Sequence, residues 1–306
     1  VTAASWVESW IAANNGALSD STFLAYSHRT GHFLKWMGAR ASAPLPSITK
    51  ADIIAYRTDL LKQIAPSTVN LGVKILRMMF EAARREKVIP ENPAADLKTL
   101  KHEGGVDRRP FTMPELQALL KVAAGEWRSM ILFGIYTGQR LNDIALLTWS
   151  NIDTEGREIR FRARKTARFM SIPLAGPLAR HLATLERPAD GSRHIHPDSA
   201  AAALTGDKRL SPTLSNRFRA LMSVAGLVKP QPHRKSKHGR EGRREMRDLV
   251  FHSLRHTATS MMKNAGISEA VVMDIIGHDS PAVSAMYTHI DSAAKRAALD
   301  SMPDLV

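Results

Sequence analysis

"FHSLRHTATSMMKNAGISEAVVMDIIGHDSPAVSAMYTHI", residues 251–290, alternates short apolar-periodic runs with stop and start signals. Gly266 is expected to end a helix over 252–265. Ser268 is expected to cap a second, "EAVVMDII", which Gly277 ends just before His278, and Ser280 with Pro281 starts a third that carries Tyr287 about two turns in. His252 and Arg255 are three apart and share a face of the first helix, while Leu254, Met261 and Met262 are left to pack elsewhere. Short helices joined by tight turns can therefore bring His252, Arg255, His278 and Tyr287 to one cleft. Met261, Met262 and Met273 are expected in the core.

His252 and His256 stand four apart, the spacing of a helical metal pair, but no general-base Glu lies between them and no carboxylate follows at a helical interval. No metal site is expected. His256 reads as a packed or capping histidine and His289 as a surface one.

Two more segments carry candidate chemistry. In "YTGQRLNDIALLTWSNID", residues 136–153, Gly138 can end one helix, so that Arg140 emerges where the next, "LNDIALLTW", begins. An arginine beside helix-start amides can grip a phosphate in two-pronged fashion, and Asp143, three residues on, can hold the guanidinium from behind. In "REIRFRARKTARFMSIPL", residues 157–174, Ile159, Phe161 and Ala163 alternate with arginines, and Met170, Ile172 and Leu174 alternate again. That pattern is a hairpin with Lys165 on its basic tip. A mobile ammonium there can reach a nucleic-acid backbone or protonate a leaving oxygen.

The first hundred residues read as four or five helices, with apolar spacing of three and four in "STFLAYSHRTGHFLKWM" and "STVNLGVKILRMMFEAARRE". Thr49 and Asp52 form a capping box, Ser67 is expected to cap the helix after Pro66, and Pro90 and Pro93 to stop it. We expect a helical domain over 1–97, a basic linker over 98–112, and a second domain over 113–306 in which Thr112 or Met113, Pro114 and Glu115 open the first helix. The fold class is thus mainly α with a small β-sheet.

With 306 residues, 44% of them apolar, the chain can bury two cores unaided. Its net charge of +14 and isoelectric point near 10.3 call for a polyanionic partner, because Lys and Arg release the counterions condensed on phosphates. DNA, RNA and an anionic membrane all fit that partner. The densest basic run, "KPQPHRKSKHGREGRREMRD" at 229–248, is too polar to pack, and Arg234, Lys235, Lys237, Arg240, Arg243 and Arg244 are its candidate contacts, to DNA if the partner is DNA. The absence of cysteine excludes disulfides, thiolate zinc sites and cysteine nucleophiles. No apolar run is long enough to span a membrane and no signal peptide is apparent, so a cytoplasmic protein, neither secreted nor membrane-spanning, is expected. The chain starts on Val1 rather than Met, which suggests processing from something longer.

Two arginines, a lysine, two histidines and a tyrosine without metal ligands suit attack of a phenol on a phosphodiester. Arg140 and Arg255 would stabilise charge on the non-bridging oxygens, His252 would take or return a proton, His278 would bond the phosphoryl oxygen or the nucleophile, Lys165 would protonate the departing oxygen, and Tyr287 would attack.

Taken together, "TGQRLNDIALLTWSNID", "RKT", "HSLRHTATSMM", "IIGH" and the tyrosine of "SAMYTHI" resemble the tyrosine recombinases of the phage integrase family, in that family's order and approximate spacing. The resemblance is strong from 113 to 290 and looser over 1–100. It implies a helical domain that clamps DNA and a mixed α/β catalytic domain, with Arg140, Lys165, His252, Arg255, His278 and Tyr287 as the active site and Asp143 behind it. It further implies site-specific recombination of the integration or excision type through a 3′-phosphotyrosyl link and a four-way junction. The assembly would be a homotetramer on double-stranded DNA that is monomeric or weakly associated when free, and no cofactor would be needed because the phosphotyrosine stores the bond energy. A type IB topoisomerase-like enzyme and a catalytically silent DNA-binding regulator are the rival readings. Because the sequence starts close to the clamp, the arm-binding domain of some members is expected to be either absent or trimmed away. The 229–248 run is longer than a minimal member needs and is either an extra DNA contact or a disordered insertion. The tail, with Ala294, Ala297, Ala298 and Leu299, either docks on a neighbouring subunit or folds back on its own domain.

Overall fold

The computed structural model describes residues 1–101, 108–205, 213–230 and 248–290, together with Ser292 and Lys295. These residues fall into two compact units, one of residues 1–101 and one of those from Arg108 on. The six basic residues of the 229–248 run named above, and the alanines and leucine of the tail, lie outside the described residues.

The first unit is a helical bundle of α1 (Ala3–Ala13), α2 (Asp20–Met37), α3 (Lys50–Leu61) and α4 (Pro66–Arg85). Helix α4 buries Val69, Val73, Leu76, Met79, Phe80 and Ala83, an apolar face at three and four spacing, and α1, α2 and α3 all pack on it. The Thr49–Asp52 capping box forms as expected, with the Thr49 N–H donating to the Asp52 carboxylate at 2.8 Å. Two expectations for α4 are corrected. Ala65 rather than Ser67 precedes the helix, and Ser67 lies inside it, because Pro66 already occupies the first turn, where its missing N–H costs nothing. The stop comes before either proline: Lys87 turns left-handed at φ 58°, and the Val88 N–H closes back onto the Ala83 carbonyl at 2.9 Å.

The second unit begins with α5 (Met113–Val122), capped by Thr112 and Glu115. Glu115 also forms a two-pronged bond with Arg109 (2.7 and 2.8 Å), whose Nε donates to Asp248 at 2.8 Å. Bonding to Arg109 holds the Glu115 carboxyl down to about 2. There follow α6 (Glu126–Thr137), α7 (Leu141–Ala145), β1 (Ile152–Asp153), β2 (Glu158–Arg162), β3 (Phe169–Pro173), α8 (Gly176–Leu182), α9 (Pro197–Leu204), α10 (Leu214–Val224), α11 (Ser253–Asn264), α12 (Glu269–Ile276) and α13 (Pro281–Ala285).

The antiparallel sheet has the order β1-β2-β3, with Ile159 opposite Ile172 and Phe161 opposite Met170. Alternation puts Ile159, Phe161, Met170 and Ile172 in the core and the arginines outside, as the hairpin pattern predicts. The two-residue β1 was not legible in the sequence: it exists only through pairing with β2. Helix α7 is also shorter than expected. It stops at Ala145, after which Leu147 and Trp149 turn into the core. Helix α11 is buried along most of its length and packs against α6, with Leu254 fully enclosed. Truncating such a leucine typically costs about 2–5 kcal/mol. Met261 departs from its expected core place and is 46% exposed, whereas Met262 packs on Ala258, Val272 and Ile276.

Candidate active site

Two glycine caps and one buried cation organise the site. Gly138 ends α6 at φ 63° and Gly277 ends α12 at φ 74°, a backbone region that side-chain-bearing residues seldom enter. Space also demands glycine. A Cβ on Gly138 would overlap the Ile276 methyl, and one on Gly277 would meet the Met170 side chain at 3.0 Å. Their carbonyls accept hydrogen bonds from the same guanidinium: Arg255 Nη1 donates to Gly138 at 2.9 Å and Nη2 to Gly277 at 3.3 Å. Each carbonyl stands at a helix C-terminus, the negative end of the peptide dipoles. Arg255, only 1% exposed, is therefore stabilised without a bonded carboxylate among the described residues. Burial lowers its pKa to about 10, so it remains cationic at neutral pH.

Arg255 Nε donates to His278 Nε2 at 3.3 Å, which puts the His278 proton on Nδ1, an atom without a hydrogen-bond partner. His278 Nε2 is thus an acceptor and Nδ1 an unused donor. The Tyr287 ring lies 4.6 Å from the His278 ring and 5.7 Å from the Arg255 guanidinium carbon. Its hydroxyl is 3.0 Å from His252 Nε2. Tyr287 is not two turns into a helix: α13 ends at Ala285, and the tyrosine sits in the turn beyond it. Ser280 starts that helix as expected, accepting from the Val283 N–H, whereas Ser268 precedes α12 without a side-chain cap.

Burial first, and then the charge of Arg255, push His252 down to about 3; the same two causes push His278 to about 4. Both are neutral imidazoles at neutral pH, so the Tyr287 hydroxyl can donate to an unprotonated His252 Nε2. Arg140, which leads into α7, also lowers the pKa of His252, Arg255 and His278 through its charge. Its guanidinium is 4.0 Å from the buried Asp143 carboxylate, too far for a hydrogen bond. Asp143 Oδ1 instead accepts the Arg164 N–H at 3.0 Å and so holds the base of the hairpin turn.

The structure brings together Arg140, His252, Arg255, His278 and Tyr287. Lys165 is not among them: it stands exposed on the turn between β2 and β3, with no hydrogen bond or ion pair among the described residues. One link ties the hairpin to the site, because Arg168 donates to Asp274 at 2.7 Å and to the His278 carbonyl at 3.4 Å. Because α7 has five residues, the anion site expected at its start rests on the Arg140 side chain more than on a helix dipole.

Gln139 went unassigned in the sequence, and the partner of His256 went unnamed. Gln139 is buried and its amide donates to Thr137 O at 2.9 Å and Ile275 O at 3.0 Å, joining the ends of α6 and α12. His256 packs its ring 4.5 Å from that of Tyr287. The sequence reads it as a packed or capping histidine, and the structure packs it, but against a partner that the sequence did not name. Among the described residues no group of three or more His, Asp and Glu side chains is placed to hold a metal ion, and no helix is long and apolar enough to cross a membrane.

Comparison with known proteins gives the family and the fold. Residues 110–294 match the model of the phage integrase family. Tyrosine recombinase XerC of Roseiflexus castenholzii is 24% identical over 286 residues, covering 91% of this chain and 86% of the relative. XerC of Halalkalibacterium halodurans is 27% identical over 283 residues, covering 89% and 88%. Among solved structures, a lambda integrase dimer bound to a COC′ core site superposes with a TM-score of 0.72 at 19% identity, covering 100% of this chain and 99% of that one. The Tn1549 transposon integrase in complex with circular intermediate DNA gives 0.68 at 18% identity, covering 98% and 99%. With more than half of its length matched by the family model, the chain belongs to the phage integrase family and is a site-specific tyrosine recombinase.

Proposed function

We propose that this recombinase cuts and rejoins double-stranded DNA through a covalent tyrosine intermediate formed on Tyr287. The observation that carries the reading is the 3.0 Å approach of the Tyr287 hydroxyl to a neutral His252 Nε2 beside the buried Arg255 cation. The phenol oxygen attacks the scissile phosphorus and its proton passes to His252. The bond to the 5′ oxygen breaks, and that oxygen leaves with a proton from Lys165. The product is a 3′-phosphotyrosyl link, and attack by a 5′ hydroxyl reverses every step. Arg140 and Arg255 offset charge on the non-bridging oxygens, and the unused His278 Nδ1–H is a further donor for them. A phosphate beside His252 favours its protonated form, which suits a base that must briefly hold a proton.

Tyr287 reaches residues of its own chain, which supports delivery of the nucleophile by the subunit that holds the arginines. We assign the first unit to clamping DNA and the second to catalysis. A structural neighbour is a lambda integrase tetramer bound to a Holliday junction, at 20% identity and a TM-score of 0.67. By that likeness the reaction passes through a four-way junction within a homotetramer and serves integration or excision of a mobile element. Lys165 comes to the site only as the hairpin tip meets DNA.

The test is Tyr287→Phe on nicked suicide substrates. Covalent adducts should disappear while DNA affinity stays near that of the parent, since only the attacking oxygen is removed. Adducts that persist would place the nucleophile elsewhere.

A further inference from the structure

Helix α11 and His252, the residue that precedes it, present four polar side chains at strict four-residue spacing, His252, His256, Ser260 and Asn264, and each touches the segment 287–289. His252 meets the Tyr287 hydroxyl. His256, 6% exposed, lies with its ring 4.5 Å from the Tyr287 ring and 6.1 Å from that of His289. Ser260 Oγ donates to the Tyr287 carbonyl at 3.3 Å and accepts the His289 N–H at 3.0 Å. The Asn264 amide donates to the His289 carbonyl at 3.3 Å. Residues four apart lie on one face of a helix, so the four contacts form a line along α11.

Tyr287 needs such a line. It sits beyond the end of α13, where the Tyr287 and Thr288 N–H groups bond only to Ser284 and Ala285. No strand pairs with it among the described residues, so side chains of α11 hold the segment in place of a backbone ladder.

We infer that His256, Ser260 and Asn264 are positioning residues, a rail on α11 along which the nucleophile segment docks so that the Tyr287 hydroxyl arrives at His252. None of the three touches a reacting atom. His256 acts as a flat wall for the phenol ring, and Ser260, which both donates and accepts, pins the backbone on either side of Thr288. The inference rests on Tyr287 as nucleophile. A displacement of about 1 Å at a reacting group can cost about a hundredfold in rate, so the rail should be read in the chemical step rather than in binding.

The experiment measures single-turnover cleavage at saturating DNA, together with DNA affinity, for the full chain and its variants. His256→Ala should slow cleavage about ten- to a hundredfold with unchanged affinity, and His256→Phe, which restores a ring, should recover most of that loss. Ser260→Ala and the Ser260→Ala/Asn264→Ala pair should slow cleavage progressively, which keeps the test open if His256→Ala fails to fold. A separate readout follows the Tyr287 ring by NMR of ring-labelled tyrosine, assigned by its loss in Tyr287→Phe: the signal should shift in His256→Ala whichever residue attacks DNA. Parent cleavage rates in the Ser260/Asn264 variants, or a phenylalanine that rescues nothing in a folded protein, would overturn the rail. Adducts surviving in Tyr287→Phe would overturn it through the nucleophile assignment instead, and the NMR shift tells the two failures apart.

Discussion

Arg255 and Lys165, two cations of the proposed reaction, are treated in opposite ways. Arg255 is buried, bonded to two helix-end carbonyls and to His278, and its place is set before any DNA arrives. Lys165 is exposed on a turn, its charge solvated. A buried cation is affordable only where dipoles compensate it, and once compensated it cannot move. A leaving-group acid has the opposite need, since it must reach an oxygen whose position the substrate decides. On the proposed reaction, the protein preorganises the groups around the nucleophile and leaves the leaving-group side to be completed on the DNA.

Arg255→Ala breaks the preorganised half and should have the largest effect. Cleavage should fall by about three orders of magnitude or more through loss of transition-state charge stabilisation. Two buried carbonyls also lose their donor, and stability should fall by about 2–4 kcal/mol in chemical denaturation. An Arg255→Ala protein with parent stability would mean that the caps do not depend on the guanidinium.

Lys165→Ala tests the other half. Stability should be unchanged, while cleavage of normal DNA should slow by about two to four orders of magnitude. Replacing the bridging 5′ oxygen by sulfur should restore the rate, because a thiolate leaves without a proton. Arg255→Ala should gain no such rescue. A Lys165→Ala enzyme that sulfur fails to restore would make this lysine a DNA contact rather than the acid.

The smallest effect sharpens the contrast through pH. His252, His256 and His278 have folded pKa values of about 3, 4 and 4, below the ordinary 6.5, each chiefly through burial. Between about pH 6.5 and 4 the unfolded chain binds more protons than the folded one, so stability should fall as pH falls through that window and level off above it. Each histidine adds up to about 1.4 kcal/mol per pH unit to the slope. His256→Phe should flatten the denaturation slope by about one proton, and Lys165→Ala should leave it untouched. An unchanged slope in His256→Phe would show that this histidine protonates freely in the folded protein.

Elements legible in the sequence were those whose cause is local. The Thr49–Asp52 box, the glycine ends of α6 and α12, the Ser280–Pro281 start and the alternation of β2 and β3 depend on a few neighbouring residues and on backbone sterics, and each formed. Local logic also misled where two signals competed. Pro66 took the first-turn place and left Ser67 inside the helix, and the left-handed Lys87 closed α4 before either proline could. The candidate site residues were named from their chemical types and order, which a line of sequence displays in full.

Tertiary structure decided what those residues touch. The sequence by itself determined that Gly138 and Gly277 end helices, since only the backbone's steric freedom is at issue. That their carbonyls converge on Arg255 depends on α6, α11 and α12 packing together, a relation that joins Arg255 to Gly138, 117 positions away, and to Gly277, 22 positions away. In the same way His256 was legible as a histidine four residues from His252, but its ring could be assigned to Tyr287 only once the chain had folded back along α11. Local conformation is short-range and periodic, and so can be read from neighbours. Burial, stacking and the compensation of a buried charge are set by whichever distant groups the core brings within a few ångströms.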